Sequence, residues 1–270
     1  MMKFEEKARE LRGNIISSLE SAGSGHPGGS LSAIDILTVL YYKEMDISLE
    51  NYDSQDRDHF ILSKGHAAPA LYAVLADKGF FDKKELLNLR KFSSMLQGHP
   101  DRLKTRGVDS SSGSLGQGLS IANGLALAKR QDNIDKKVYV LLGDGELQEG
   151  QVWEAAMTAA HYKLNNVIAL VDHNGLQIDG SNDEVMAVNN IADKFKAFNW
   201  HVLEANGHDI TSLIEAIEQA KTNKGAPTMI LCETIKGKGV SFMENQVGWH
   251  GKAPSPEEAQ RALSELKEVL

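Results

Sequence analysis

The sequence has few of the features that mark secreted, membrane-spanning or nucleic-acid-binding proteins. It holds a single cysteine, Cys232, among 270 residues, so no disulfide can form within the chain. No apolar run approaches the length of a membrane-spanning helix, and the N-terminus is charged from Lys3 onward, so we expect a cytoplasmic protein without a signal peptide. The formal net charge is −8 without an acidic tail, which argues against nucleic-acid or anionic-membrane partners.

The composition is that of a folded globular protein. Hydrophobic residues make up 41% of the chain and charged residues 24%, which is enough apolar surface to bury a large core. We find no internal repeat and no linker-like stretch. The sequence therefore predicts a single domain over residues 1–270.

Apolar runs without alternation predict strands that are buried on both faces, as in a parallel sheet. Apolar residues at helical spacing predict helices between these strands. We therefore expect an α/β fold, doubly wound, with a mainly parallel sheet and helices on both faces. The predicted strands are 59–62, 137–142, 166–171, 200–204 and 227–234. The predicted helices are 4–19, 31–42, one ending at 75, 83–92, 119–129, 151–162, 210–222 and a last one starting at 255 or 256.

Residues 93–117 interrupt this alternation. The stretch is rich in glycine, serine and charged residues and has no helical or strand period. Irregular segments of this length within a compact domain are usually functional or disordered. Both interpretations are open for residues 93–117 from this pattern alone.

The most informative motif is GDGELQEG at residues 143–150, with Asn174 thirty residues after Asp144. Both side chains follow predicted parallel strands, and ligands bind beyond the carboxyl ends of such strands. Mg²⁺ prefers oxygen ligands and uses few carboxylates when phosphates supply the others. Gly145 permits close approach to a phosphate, and a helix opening near Glu149 could point its N-terminus at the same anion.

Simpler interpretations exist for each part of this motif. Asp-Gly and Asn-Gly are common turn dipeptides, and either alone indicates a turn. Together, at this spacing and on this fold, they favour a metal site that holds a diphosphate. A nicotinamide-dependent oxidoreductase is the main alternative on such a sheet, but it needs GxGxxG directly after the first strand, and that motif is absent.

Seven motifs in order resemble the N-terminal half of a transketolase and its thiamine diphosphate-binding fold. They are SGHPGG at 24–29, SKGHA at 63–67, GHP at 98–100, GSLGQG at 113–118, GDGELQEGQVWEA at 143–155, DHNGLQIDG at 172–180 and WHG at 249–251. The resemblance spans nearly the whole chain. Ser114 stands where transketolases usually have proline.

This resemblance implies roles for particular residues. The Mg²⁺ ligands would be Asp144, Asn174 and the backbone carbonyl of Leu176, with Ca²⁺ or Mn²⁺ as substitutes. Contacts to the diphosphate would come from Gly145, His66 and His250. The wall around the thiazolium would include Gly113, Leu115 and Ile178. The substrate would face His26, His66, His99 and His250, while Glu149 would join a carboxylate network at a subunit interface.

Some of these residues also have a physical argument of their own. Imidazole suits proton transfer near neutral pH, and four of the nine histidines lie in glycine-bounded loops. The other five, His59, His161, His173, His201 and His208, we interpret as ordinary structural or solvated residues. Glu149 could instead be a favourable charge in the first turn of a helix. Lys236 and Lys238 could aid a phosphate or lie in an exposed loop.

The chain departs from transketolases in length, since the usual chain is more than twice as long. The missing half supplies the glutamate that activates the cofactor and much of the sugar-phosphate site. The resemblance therefore implies the N-terminal subunit of a split transketolase, inactive alone and assembled with a separate C-terminal subunit into a heterotetramer. The default substrates are xylulose 5-phosphate and ribose 5-phosphate of the pentose phosphate pathway. The alternatives are a subunit of another ketol transferase, a relative of deoxyxylulose-phosphate synthase, or a non-catalytic regulatory subunit.

Overall fold

A five-stranded, wholly parallel sheet forms the centre of the computed structural model, which describes residues 2–268. The strand order is β1-β2-β3-β5-β4, so the expected parallel sheet is confirmed. The central strands are buried along almost their whole length, as their unbroken apolar sequence predicts. The strands are β1 His59–Leu62, β2 Val138–Gly143, β3 Val167–His173, β4 His201–Asn206 and β5 Thr228–Glu233.

Helices cover both faces of the sheet, which confirms the doubly wound arrangement. One face packs against α1, α2, α3 and α8, and the other against α4, α5 and α7, giving two separate apolar cores. Helix α9 lies against α1. The helices are α1 Met2–Ala22, α2 Pro27–Val39, α3 Ala68–Asp77, α4 Gln117–Gln131, α5 Gly150–His161, α6 Asn182–Val185, α7 Ile191–Ala197, α8 Ile210–Thr222 and α9 Pro256–Glu268. Within residues 2–268, no helix is long and apolar enough to cross a membrane.

Two predicted helices differ from the structure. Helix α2 starts at Pro27, earlier than expected, because proline fits the first helical position; after Val39 the chain continues as a π-helical turn, Leu40–Glu44. The helix predicted at 83–92 was wrong. Only the 3₁₀ turn Lys83–Asn88 forms, because Arg90 adopts a left-handed φ of 61° and its amide donates to the carbonyl of Leu96.

The irregular segment 93–116 is held against the sheet by one buried ion pair. Arg57 donates to both carboxylate oxygens of Asp109, at 3.1 and 2.5 Å, and both side chains are buried. The amide of Phe60 in β1 donates to the same carboxylate at 2.8 Å. The segment is therefore anchored at β1 although it contains neither helix nor strand.

Helix α4 packs so closely on the end of β1 that its second residue must be glycine. A Cβ at Gly118 would lie 2.4 Å from Ser63 Cβ, whereas one at Gly124 on the same helix would have no neighbour within 4 Å. We expect Gly118→Ala to lower the free energy of unfolding by about 1–3 kcal/mol through overpacking.

The matched control is Gly124→Ala, which should raise the free energy of unfolding by about 0.5–1 kcal/mol because alanine restricts the unfolded chain. Both values are measured by urea denaturation. Equal effects of the two substitutions would contradict the close contact between α4 and Ser63.

Candidate functional site

A cleft of about 300 Å³ lies beyond the carboxyl ends of β2 and β3. The register sets Gly143 beside Asp172, so the residues that follow these two strands meet at one edge of the sheet. The cleft brings together every residue to which the resemblance assigned a role. These are His26, His66, His99, Gly113, Leu115, Asp144, Gly145, Glu149, Asn174, Leu176, Ile178 and His250.

Asp144 is a buried carboxylate without a salt-bridge partner among residues 2–268. It is 2% exposed, and its oxygens accept the amides of Gly145 at 2.7 Å and Gly175 at 2.6 Å. Burial, followed by the nearby negative charge of Asp172, raises its pKa above the ordinary value. Among residues 2–268 no lysine, arginine or histidine forms a salt bridge with it. Because an unpaired buried charge is costly, this carboxylate suits a bound cation.

The loop after β3 presents two further oxygens to the cleft. Asn174 Oδ1 accepts the amide of Leu176 at 3.2 Å, and the carbonyl of Leu176 accepts the Lys236 ammonium at 2.8 Å. A carbonyl oxygen has two lone pairs, so the lysine leaves one for another ligand. No cluster of three His, Cys, Asp or Glu side chains that could hold a metal occurs in the described chain. The donors available here are therefore one carboxylate, one amide and one carbonyl, a set that leaves positions for phosphate oxygens.

Two lysines are buried at the cleft, and Lys236, which forms no salt bridge among residues 2–268, favours an anionic ligand. Lys64 is 1% exposed and forms an ion pair with Asp172, while Lys236 is 2% exposed. Burial, and then the charge of Lys64, lowers the pKa of Lys236 to about 8. The exposed-loop interpretation of Lys236 is therefore wrong, although Lys238 is partly exposed and pairs with Glu244.

Lys64 was not singled out from the sequence. The signal was present in SKGHA, where a lysine follows one serine after a strand with four buried residues. A charge at the carboxyl end of a buried strand is expected at a site in this kind of sheet.

Three histidines form a compact group at one side of the cleft. The His66 and His250 rings are stacked with centroids 5.3 Å apart, and His26 lies 5.3 Å from His66 and 5.7 Å from His250. Burial lowers the pKa of His26 to about 4 and that of His250 to about 3, and it lowers the pKa of His66 well below its ordinary value. These imidazoles are therefore neutral near pH 7 and can donate and accept protons.

His99 approaches from the irregular segment. A Cβ at Gly113 would lie 3.2 Å from His99 Cγ, and Gly113 has a φ of 148°, so glycine meets both the contact and the backbone conformation. Burial and the charge of Arg90 lower the pKa of His99. His99 and Gly113 of the irregular segment line the cleft, which agrees with the functional of its two interpretations.

The two glutamates of GDGELQEG occupy different surroundings. Glu149 is exposed at the N-cap position of α5, where its side chain accepts no capping hydrogen bond. Glu146 is 3% exposed and accepts from the amides of Gly116 at 2.8 Å and Gly143 at 3.0 Å, and from the Ser63 hydroxyl. Glu146, which sequence reasoning missed, thus ties the GSLGQG loop to the end of β2.

The mouth of the cleft is open and partly apolar. Ile178 is 66% exposed, and Met186, a short way along the chain, is 62% exposed. Large apolar side chains that are exposed beside a cleft are typical of surfaces that a ligand or a partner covers. Fold and cleft together define an α/β protein that can bind an anionic ligand with a cation at a sheet edge.

Comparison with known proteins identifies the class more closely. The family "Transketolase, thiamine diphosphate binding domain" matches residues 5–266. The 6-deoxy-6-sulfo-D-fructose transketolase subunit SqwG of Clostridium sp. (strain MSTE9) is 42% identical, over 98% of this chain and 96% of its own. One of the apulose-4-phosphate transketolase subunits, from Phocaeicola vulgatus, is 39% identical, over 99% of this chain and 95% of its own.

Solved structures agree with this assignment. The transketolase of Campylobacter jejuni superposes with a TM-score of 0.93 at 34% identity, covering 99% of this chain and 43% of that one. The chain therefore spans less than half of that transketolase but nearly the whole of the two subunits. It belongs to the transketolase thiamine diphosphate-binding domain family, and the expectation of an N-terminal transketolase subunit is confirmed.

The histidine group has a consequence for stability that can be measured. Because the folded pKa of His26 is about 4 against an ordinary 6.5, the unfolded chain binds more protons than the folded chain between these values. Stability should thus fall as the pH decreases from 6.5 toward 4. In His26→Asn this loss should be smaller by about 1 kcal/mol, after allowance for the solvent screening of a partly exposed ring.

The measurement is urea unfolding at both ends of that pH range, with His161→Asn as the control because His161 is exposed on α5. Groups that titrate in both proteins cancel in the difference. An unchanged pH dependence in His26→Asn would contradict the burial of a neutral ring at this position.

Proposed function

We propose that the chain is the N-terminal subunit of a two-subunit transketolase, which transfers a two-carbon ketol unit from a ketose phosphate to an aldose phosphate. The single observation that carries the proposal is the convergence in one cleft of a buried carboxylate without a salt-bridge partner among residues 2–268, a buried lysine and neutral histidines. The near-complete match to relatives that are themselves subunits supports it.

The residues of the cleft fit thiamine diphosphate with Mg²⁺. Asp144, Asn174 and the carbonyl of Leu176 offer oxygen ligands for the metal, and Asp144 has no salt-bridge partner among residues 2–268.

The diphosphate would contact Gly145, His66 and His250. Lys236 adds a buried positive charge to the cleft, whereas the charge of Lys64 is compensated by Asp172. Gly113, Leu115 and Ile178 would form the wall beside the thiazolium.

When bound, thiamine diphosphate supplies the carbanion chemistry that breaks and forms the carbon–carbon bond. The protein supplies orientation and proton transfer. Four histidines line the cleft, and each has a pKa below the ordinary value for histidine, so each is neutral at pH 7. They are His26, His66, His99 and His250. A neutral imidazole can take a proton from a sugar hydroxyl and return it to a carbonyl oxygen. Burial is the main reason that His26, His66 and His250 stay neutral, and nearby positive charges, among them Lys236, add to it.

A separate C-terminal subunit would complete the site. Ile178 exposes an apolar side chain at the cleft, and Met186, further along the chain, is also exposed, which supports a covering partner. Glu149 is exposed and lines the same cleft, and it would enter a carboxylate network across the interface. We expect a heterotetramer in the cytoplasm.

The substrates would be sugars that end in an anionic group. Two of the similar subunits act, by their names, with 6-deoxy-6-sulfo-D-fructose and apulose 4-phosphate, which supports an anionic ketose. Xylulose 5-phosphate with ribose 5-phosphate, as in the pentose phosphate pathway, is the default pair.

Asp144→Asn tests the cofactor site while keeping the shape of the side chain. Loss of a direct metal ligand should weaken the affinity for thiamine diphosphate with Mg²⁺ by roughly a hundredfold or more, since changes to groups that only support a metal ligand already cost about 10–100-fold. Calorimetric titration of the chain assembled with its C-terminal subunit measures the dissociation constant. The control, Asp183→Ala, removes an exposed acid of α6 outside the cleft. Equal affinity of Asp144→Asn and the control would remove the metal assignment.

Reconstitution tests the two-subunit proposal. The purified chain should show no ketol transfer, and activity should appear when the C-terminal subunit, sought in the neighbouring reading frame, is added. Sedimentation should show the two chains moving together. Ketol transfer by the chain alone, or a monomer that ignores the second subunit, would refute the proposal.

A further inference from the structure

We propose that Asp35, Arg12 and His208 form a buried clamp that positions the Lys236 ammonium in the cleft. This makes the three of them positioning residues for binding of the diphosphate group. The inference rests on the proposed function for its ligand. Its geometry is independent of that function, and none of the three residues lines the cleft itself.

Asp35 in α2 is the centre of the clamp. It is 5% exposed and accepts from both terminal nitrogens of Arg12, at 3.1 and 2.5 Å, and from His208 Nδ1 at 2.7 Å. Burial alone would raise its pKa, but the charge of Arg12 and the hydrogen bonds of both partners hold the pKa below the ordinary value. Asp35 is therefore an anion with two oriented donors.

The contacts of His208 define its tautomer. The amide of Ile235 donates to His208 Nε2 at 2.8 Å, and a backbone amide can only donate. Nε2 is thus the acceptor, and the ring proton lies on Nδ1, where it is donated to Asp35. His208 therefore links Asp35 to the backbone of Ile235, the residue that precedes Lys236.

Arg12 holds the same loop from its other side. Its Nε donates to the carbonyl of Lys238 at 2.9 Å. Gly239, with a φ of 91°, lies against the Arg12 side chain, where a Cβ would be 2.9 Å from Arg12 Cδ. The clamp thus holds the backbone one residue before Lys236 and two residues after it.

The lysine held between these two points extends into the cleft. Its stem lies against Gly28, where a Cβ would be 2.9 Å from Lys236 Cγ, and its ammonium reaches the Leu176 carbonyl and His250 Nδ1, both at 2.8 Å. If the cluster served only to link α1 to α2, the ion pair between Arg12 and Asp35 would be sufficient. Here both partners of Asp35 also bond to the backbone of the loop, which is why we assign the cluster to positioning of Lys236.

Two substitutions at His208 separate positioning from folding. His208→Leu removes the acceptor for the Ile235 amide, whereas His208→Gln keeps an acceptor oxygen at the place of Nε2. The first readout is amide hydrogen exchange of residues 235–239 in the full chain. We expect about tenfold faster exchange of the Ile235 amide in His208→Leu, recovery in His208→Gln, and unchanged exchange in β2 and β3. The control is His161→Leu on the exposed end of α5.

The second readout is the dissociation constant of thiamine diphosphate with Mg²⁺ for the chain assembled with its C-terminal subunit. His208→Leu should weaken binding by about tenfold, and this effect should vanish when Lys236 is already replaced by methionine. A purely structural role would weaken binding equally in both backgrounds. Equal weakening would therefore overturn the positioning role.

The outcomes distinguish this inference from the proposed function. If Ile235 exchanges at the same rate in His208→Leu and in the unsubstituted chain, the clamp is overturned whatever the cofactor does. If the unsubstituted assembly binds no thiamine diphosphate, the proposed function fails, and with it the positioning role in cofactor binding. Faster exchange together with a Lys236-dependent loss of affinity supports both.

Discussion

The site depends on one buried ion pair at the carboxyl end of β3. Asp172 is fully buried, and its carboxylate accepts from Lys64, Ser32 and Thr234. These partners belong to the loop after β1, to α2 and to the loop after β5. Burial would raise the pKa of Asp172, but the charge and hydrogen bond of Lys64 outweigh it and hold that pKa below the ordinary value. Loss of either charge would leave the other unpaired in the interior, at a cost of about 3–5 kcal/mol.

Each chain segment tied to Asp172 carries a residue of the cleft. Lys64 is two residues before His66, Ser32 is in the helix that His26 precedes, and Thr234 is two residues before Lys236. The ion pair therefore sets the relative positions of groups from three parts of the chain. The ion pair also explains the state of Asp144, which follows the neighbouring strand β2. Because Lys64 neutralises Asp172, Asp144 is left without a salt-bridge partner in the described residues. Asp172 thus already has a cation from the chain, whereas Asp144 still needs one.

Prediction from the sequence was most accurate where a local pattern has one physical meaning. Unbroken apolar runs predict strands buried on both faces, as β1, β2, β3 and β5 are, whereas β4 is partly exposed; all five strands were predicted within two residues of their observed ends. The resemblance of ordered motifs named the site residues, and they do line one cleft. Prediction failed for residues 83–92, where the helical spacing was present but the left-handed Arg90 stopped the helix. Lys64 and Glu146 were missed because their importance comes from burial, which a lone charged residue in a sequence does not reveal.

The sequence by itself determined the parallel α/β fold, the edge of the sheet at which ligands bind and the family. The reason is that periodicity and the order of motifs are properties of the chain before it folds. Only the tertiary structure decided which charges are compensated and which are not. Asp172 and Asp144 are both aspartates at strand ends, and nothing local separates them. Likewise nothing in the sequence distinguishes His208 from an ordinary loop histidine, and only the fold places it between Asp35 and Ile235. The physical reason is that desolvation and pairing arise between residues that are distant in the chain, and they exist only after the chain has folded.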